Sequence, residues 1–161
     1  LAGGSAVPQP FGGPQRLLRF SIADAADRED IVLSGDAGGF VIAPPLVDAE
    51  RGIAVGFDTG NGRVSAYRYR EGAASRPLWA REIRNWWQPM LFSDGTLVLD
   101  DFDPARTSGD EIVLLDIESG DELGRVPTGA TQPNGMFPAP GRDRDLYYCT
   151  TGTVARVYWE T

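Results

Sequence analysis

Residues 88–134 read QPMLFSDGTLVLDDFDPARTSGDEIVLLDIESGDELGRVPTGATQPN, and the fold turns on this stretch. It holds three short apolar runs, each closed by a turn signal, then a fourth that ends in Val126, Pro127, Thr128 and Gly129. A second Gln-Pro pair then restarts the pattern. Gln88-Pro89 and Gln132-Pro133 lie 44 residues apart, and Pro45 lies 44 residues before Pro89. A period of about 40 to 50 residues with four strands per unit is that of a propeller blade. The expected fold is therefore all-β, a partial β-propeller of about three to four four-stranded blades with a period of about 44 residues.

Toward the N-terminus the scheme repeats. VIAPPLV, GIAVGF, RVSAYRY and PLWAREI supply four strands, separated by turns at DAERG, DTGNG and REGAAS. Gly and Pro interrupt every window before an amphipathic helix could reach ten residues or so. Before that, RLLRFSI and DIVLSG make a two-stranded hairpin; after residue 134, GMFPAP, DLYYCT and VARVYW make three more strands. Residues 1–15, dense in Gly, Pro and Gln, are expected to form an extended arm or linker. The blades are then about 16–38 (partial), 39–84, 85–130 and 131–161 (partial). Propellers close with four to eight blades, so open sheet edges remain. The remaining blades are expected from missing chain, a second polypeptide or a symmetric copy.

Composition narrows the function. The 161 residues are 42% hydrophobic and 24% charged, an ordinary globular balance. A net charge of −8 repels phosphate backbones, so nucleic acid is not an expected partner. All basic residues are Arg, scattered along the chain. No apolar run approaches the roughly 18 residues of a membrane span. Cys149 is the only cysteine, which excludes an internal disulfide, and its alternating context DLYYCT suits a packed thiol. With no His, a Cys-His dyad, a Ser-His-Asp triad and imidazole metal ligands are all excluded within this chain. The start at Leu1 without a basic-then-apolar leader is expected to mean that any targeting segment is removed or lies upstream.

From Ile112 onward the chain resembles the repeat of the YVTN-type propellers and of the related quinoprotein-like (PQQ-type) propellers. Asp116, Ser119, Gly120, Gly129, Pro133, Leu146 and Tyr147 stand where that repeat has its strand-ending Asp, its hairpin, its Gly, its blade-opening Pro and its Leu-Tyr strand. Leu78-Trp79 resembles the Leu-Trp of the quinoprotein version, whereas Arg68 or Tyr69 stands where the preceding blade should have its Asp. These motifs specify fold more than activity. The resemblance implies a family of electron-transfer subunits, dehydrogenases, lactonases and assembly scaffolds, with a periplasmic or secreted location favoured.

On a propeller, the loops joining outer strand to next inner strand, and second strand to third, open on one face. Loops there carry function. They are residues 36–39, 85–88 and 131–134, with 58–62 and 100–111. Asn85, Trp86, Trp87, Gln88 and Asn134 set flat apolar surface beside amides, suited to a planar ligand, a sugar or a peptide; equally, one Trp packs between blades and the other covers loop backbone. Asp101, Asp103 and Asp110, with Asp100 and Glu111, offer oxygen ligands for a cation such as calcium, or a solvated acidic loop. Arg81, Glu82 and Arg84 read as surface charge. The expectation is a non-catalytic propeller segment presenting a rim for a protein or small ligand, with no cofactor. The alternative is part of a quinoprotein-like dehydrogenase or lactonase whose catalytic residues lie outside this segment, and only there would PQQ or calcium enter.

Overall fold

The computed structural model describes residues 15–35, 38–70, 73–103, 105–106, 109–129, 138–149 and 153–160. Within them, thirteen strands form four antiparallel sheets and there is no helix. The first sheet is β1 (Gln15–Phe20) paired with β2 (Arg28–Ser34). The second is β3 (Leu46–Asp48), β4 (Ile53–Asp58), β5 (Arg63–Arg70) and β6 (Ala73–Glu82), hydrogen-bonded in chain order. The third repeats that order with β7 (Met90–Leu91), β8 (Thr96–Asp101), β9 (Glu111–Asp116) and β10 (Glu122–Pro127). The fourth is β11 (Ala139–Pro140), β12 (Asp145–Cys149) and β13 (Val154–Tyr158). Two, four, four and three is the division that the turn signals imply. Among the described residues no helix is long and apolar enough to cross a membrane.

Side chains alternate across a strand, and here both faces of the middle sheets are covered. Leu97, Leu99, Val113 and Leu115 of the third sheet pack on Ile53, Val55, Phe57, Val64 and Ala66 of the second. Val98, Ile112 and Leu114 point the other way, onto Leu146 and Tyr148 of the fourth sheet. Strands buried on both faces read as unbroken apolar runs, which is why TLVL and IVLL lack a polar partner in the alternation. Each fully buried side chain of this kind contributes about 1.5 to 3 kcal/mol by leaving water.

Polar contacts fasten the stack. Trp79 of β6 is buried against the third sheet and donates its indole N–H to the Ile117 carbonyl at 2.9 Å. Its ring lies over Gly120, where an added Cβ would meet the indole at 2.5 Å and where φ is +72°. Glycine alone satisfies both demands. Asp116 closes the same turn, accepting the amides of Glu118 and Ser119 at 2.9 and 2.8 Å. At the same end of the sheets, Arg51 donates to the Ser93 carbonyl at 3.1 Å and Asp94 pairs with Arg144 at 3.0 Å. The turns after β3 and β7 thus grip their counterparts in the next sheet. Glu29 links the first sheet to β6 by accepting the amide and hydroxyl of Ser75.

Two local expectations are corrected. VIAPPLV is not a strand throughout: β3 begins only at Leu46, and Val41 and Ile42 are exposed, because Pro44 and Pro45 have no N–H for a ladder. The REGAAS turn is shorter than expected, since β6 already pairs from Ala73 to Arg70, with register shifts at Ala66/Tyr67 and Arg68/Arg70 absorbing the extra residues.

The outward faces of the first and fourth sheets stay open. Leu18, Phe20 and Val32 project from one, and Tyr147, Val154 and Tyr158 from the other, with Phe20 64% and Val154 80% exposed.

Candidate functional site

Three connections meet at one end of the middle sheets: 38–40 with the β4–β5 turn, the 83–89 linker, and the loop after β8. Their backbones are joined by a device that occurs twice. Asp58, ending β4, accepts the Phe40 amide at 3.1 Å, and the Thr59 amide returns a bond to the Phe40 carbonyl at 2.8 Å. Asp101, ending β8, accepts the Arg84 amide at 3.1 Å, and the Phe102 amide returns to the Arg84 carbonyl at 3.0 Å. Phe40 and Arg84 are 44 residues apart, the spacing of Pro45 and Pro89. Both prolines immediately precede the first strand of their sheets.

The 85–88 segment lies across this face. Asn85 is fully buried: its side-chain amide donates to the Trp87 carbonyl at 2.6 Å, its Oδ1 accepts from the Asp100 amide at 3.3 Å, and its carbonyl accepts from the Thr59 hydroxyl at 2.9 Å. Asn85 therefore locks the linker onto both sheets. Trp86 is half-buried, edge-on between Phe40 and Phe102 at 5.6 and 5.7 Å. Trp87 is buried in the core between the third and fourth sheets. Gln88 is exposed. Asn134 lies outside the described residues.

Strand alternation sends the neighbouring carboxylates of β8 into different surroundings. Burial alone would raise the Asp101 pKa, but bonds from Arg125, the Arg84 amide and Arg106 hold it below the usual carboxylate range. Asp100, 1% exposed, is pushed up to about 7 by burial, helped by the nearby Asp110 charge and opposed by the Trp86 amide it accepts at 2.6 Å. Asp110 is fully buried, both its carboxylate oxygens lack a hydrogen-bond partner among the described residues, and burial pushes it up to about 6. Asp103 is exposed and caps its own loop by accepting the Ala105 amide at 2.9 Å. Of the cation candidates, Asp101 is thus held by arginines, Asp103 faces water and Asp110 is enclosed. Among the described residues no group of three or more His, Cys, Asp or Glu side chains is arranged to hold a metal ion.

Beside this framework runs a polar groove of about 610 Å3, bounded by the β4–β5 turn, the end of β6 and the loop after β8. Arg63, Arg81, Arg84 and Arg106 reach it. In sequence these residues are scattered and pass for surface charge. The one usable signal is positional, since Arg84 falls where the repeat places Phe40.

Comparison of the chain with protein-family models, with curated proteins and with solved structures finds no match.

Proposed function

We propose that the four sheets are consecutive blades of a β-propeller, and that this chain is a non-catalytic segment whose loop face binds a small ligand or a protein segment. The observation that carries the reading is the hydrogen-bonded device repeated at Phe40–Asp58 and Arg84–Asp101. Equivalent bonds 44 residues apart support reading the two sheets as copies of one unit, and stacked copies of a four-stranded unit form propellers. The loops so fixed surround the polar groove, as expected of a rigid scaffold that holds a binding site in its connections.

The open apolar faces of the first and fourth sheets support the same reading. A stacked sheet needs a neighbour on each side, and Phe20, Val32, Tyr147 and Tyr158 are the residues a neighbouring blade would cover. The missing blades come from further chain, a second polypeptide or a symmetric copy.

Native mass spectrometry of the protein as isolated from its source tests this proposal. The expected result is a species with more sheet-forming chain than these four sheets, whether in one polypeptide or several. A monodisperse single copy of these residues alone would refute it.

A further inference from the structure

We infer that the groove lined by Arg63 and Arg84 is a subsite for a small oxyanion, a carboxylate or phosphate group carried by the ligand. The inference rests on the reading of the loop face as a binding surface, and it names the chemistry that face would recognise.

The backbone framework does not require a charge at position 84. Phe40 and Arg84 hold equivalent places, and both make the same two bonds through backbone atoms. Since Phe40 serves without a charge, the Arg84 guanidinium is not demanded by the framework. Arg84 is nonetheless half-buried, and among the described residues its side chain makes one hydrogen bond, Nη1 donating to the neutral Gly60 carbonyl at 3.0 Å. A guanidinium has five N–H donors in a planar fork, so most of those of Arg84 remain for an acceptor from outside the protein.

Its neighbours add to the case. Arg84 lies along Gly62, where an added Cβ would sit 3.5 Å from Nε and Nη2, so the turn leaves room for the side chain to run into the groove. Among the described residues the Arg63 side chain donates only to the Ser65 hydroxyl, at 3.4 Å. Among the described residues neither the Arg63 nor the Arg84 guanidinium has a carboxylate within 4.0 Å, although Glu82 pairs with Arg63 across the β5–β6 ladder. The groove's most buried carboxylate, Asp101, is already neutralised by Arg106 and Arg125 at 3.2 and 2.8 Å. What remains is a pair of guanidinium groups without a direct ion-pair partner among the described residues, in a recess sized for a small molecule that Glu82 and Asp103 also line, on a chain whose net charge is −8. Arg84 is half-buried and Arg63 stands exposed at the rim, and a guanidinium fork without an acid partner is the group that bidentate recognition of a carboxylate or phosphate uses.

Isothermal titration of the intact protein with inorganic phosphate and, separately, with succinate at low ionic strength tests the inference, the two arms telling phosphate from carboxylate. Saturable one-site binding of at least one probe is expected, weakened at least about tenfold by Arg84→Gln and by Arg63→Gln, and by high salt. Arg28→Gln, on the first sheet, should leave it unchanged. If Arg84→Gln fails to fold by circular dichroism, Arg63→Gln decides, because the Arg63 residue is exposed and its side chain makes one hydrogen bond among the described residues, to the Ser65 hydroxyl. Saturation by neither probe, or equal binding by the Arg63 and Arg28 variants, would overturn the subsite. Binding of a neutral sugar or peptide that protects residues 58–62 and 101–106 from hydrogen exchange, with both anions failing, would overturn the subsite and leave the loop face standing as a binding surface.

Discussion

Phe40 and Arg84 do the same backbone work in the second and third sheets, each giving its amide to the Asp that ends a strand and taking one back, yet what surrounds them differs sharply. At the second sheet, Asp58 is satisfied by amides, those of Phe40 and Asn61 and the Asn61 side chain, and Phe40 sends its ring onto Trp86. At the third, Asp101 is gripped by Arg106 and Arg125, Arg84 turns a cation into the groove, and two further carboxylates are buried close by. The backbone scheme is held constant while the side chains diverge. Scaffold positions are therefore those that recur, and candidate functional positions are those where the second copy departs from the first.

The comparison fails first if the two sheets are not one packed unit, and Trp79 joins them. Replacing it by Ala removes the bond to Ile117 and the cover on Gly120, and should cost about 3 to 5 kcal/mol in equilibrium denaturation. A loss below about 1 kcal/mol would mean that the sheets are held independently.

Protonation sharpens the contrast at the third sheet. Asp100, pushed up to about 7, and Asp110, pushed up to about 6, bind protons more tightly folded than unfolded, where a carboxyl titrates near 3.8. A raised carboxyl pKa contributes stability that is fully present below the unfolded value and is lost as pH rises through the folded one. Stability should accordingly rise by about 2 to 4 kcal/mol between pH 8 and pH 5. Below about pH 4 it should fall, as Asp101, Glu29 and Asp48, all held low, take up protons and lose their partners. Asp110→Asn should flatten the rise in urea titrations run at several pH values.

The two strand-ending carboxylates give a smaller difference. Asp101→Ala takes the shared buried carboxylate from Arg106 and Arg125, which keep Glu111 and Glu122, and should cost about 2 to 3 kcal/mol, whereas Asp58→Ala, which frees the Phe40 and Asn61 amides, should cost about 1 to 2. Equal losses would erase the electrostatic distinction. The smallest effect belongs to the β9–β10 turn. Asp121→Asn weakens an ion pair with Arg81 in which both side chains are largely exposed, and thermal unfolding should register no more than about 0.5 kcal/mol.

The strands were legible because their chemistry is local. Apolar runs closed by Gly, Pro and Asp leave few alternatives, and Pro45 and Pro89 marked the entries to β3 and β7. VIAPPLV misled because its apolar residues outweigh, in a pattern count, the missing N–H groups of its two prolines. The loop face was legible as a set of connections but not as a chemical surface. Adjacent residues such as Asp100 and Asp101 separate by strand alternation into a buried carboxyl and an arginine-bound one, and Trp86 and Trp87 separate likewise. Arg63, Arg84 and Arg106 come together only through turns distant in sequence, so nothing in their spacing announced a groove.

The central claim is that another sheet covers the open side of the fourth sheet in the native protein. Cys149 stands on that side, exposed among Tyr147, Val154 and Tyr158, and its thiol reports directly on the cover. Labelling with a thiol reagent, followed by peptide mapping, should find Cys149 slow to react in the native protein and fast after denaturation. A native protein whose Cys149 reacts as quickly as the unfolded chain would contradict the claim.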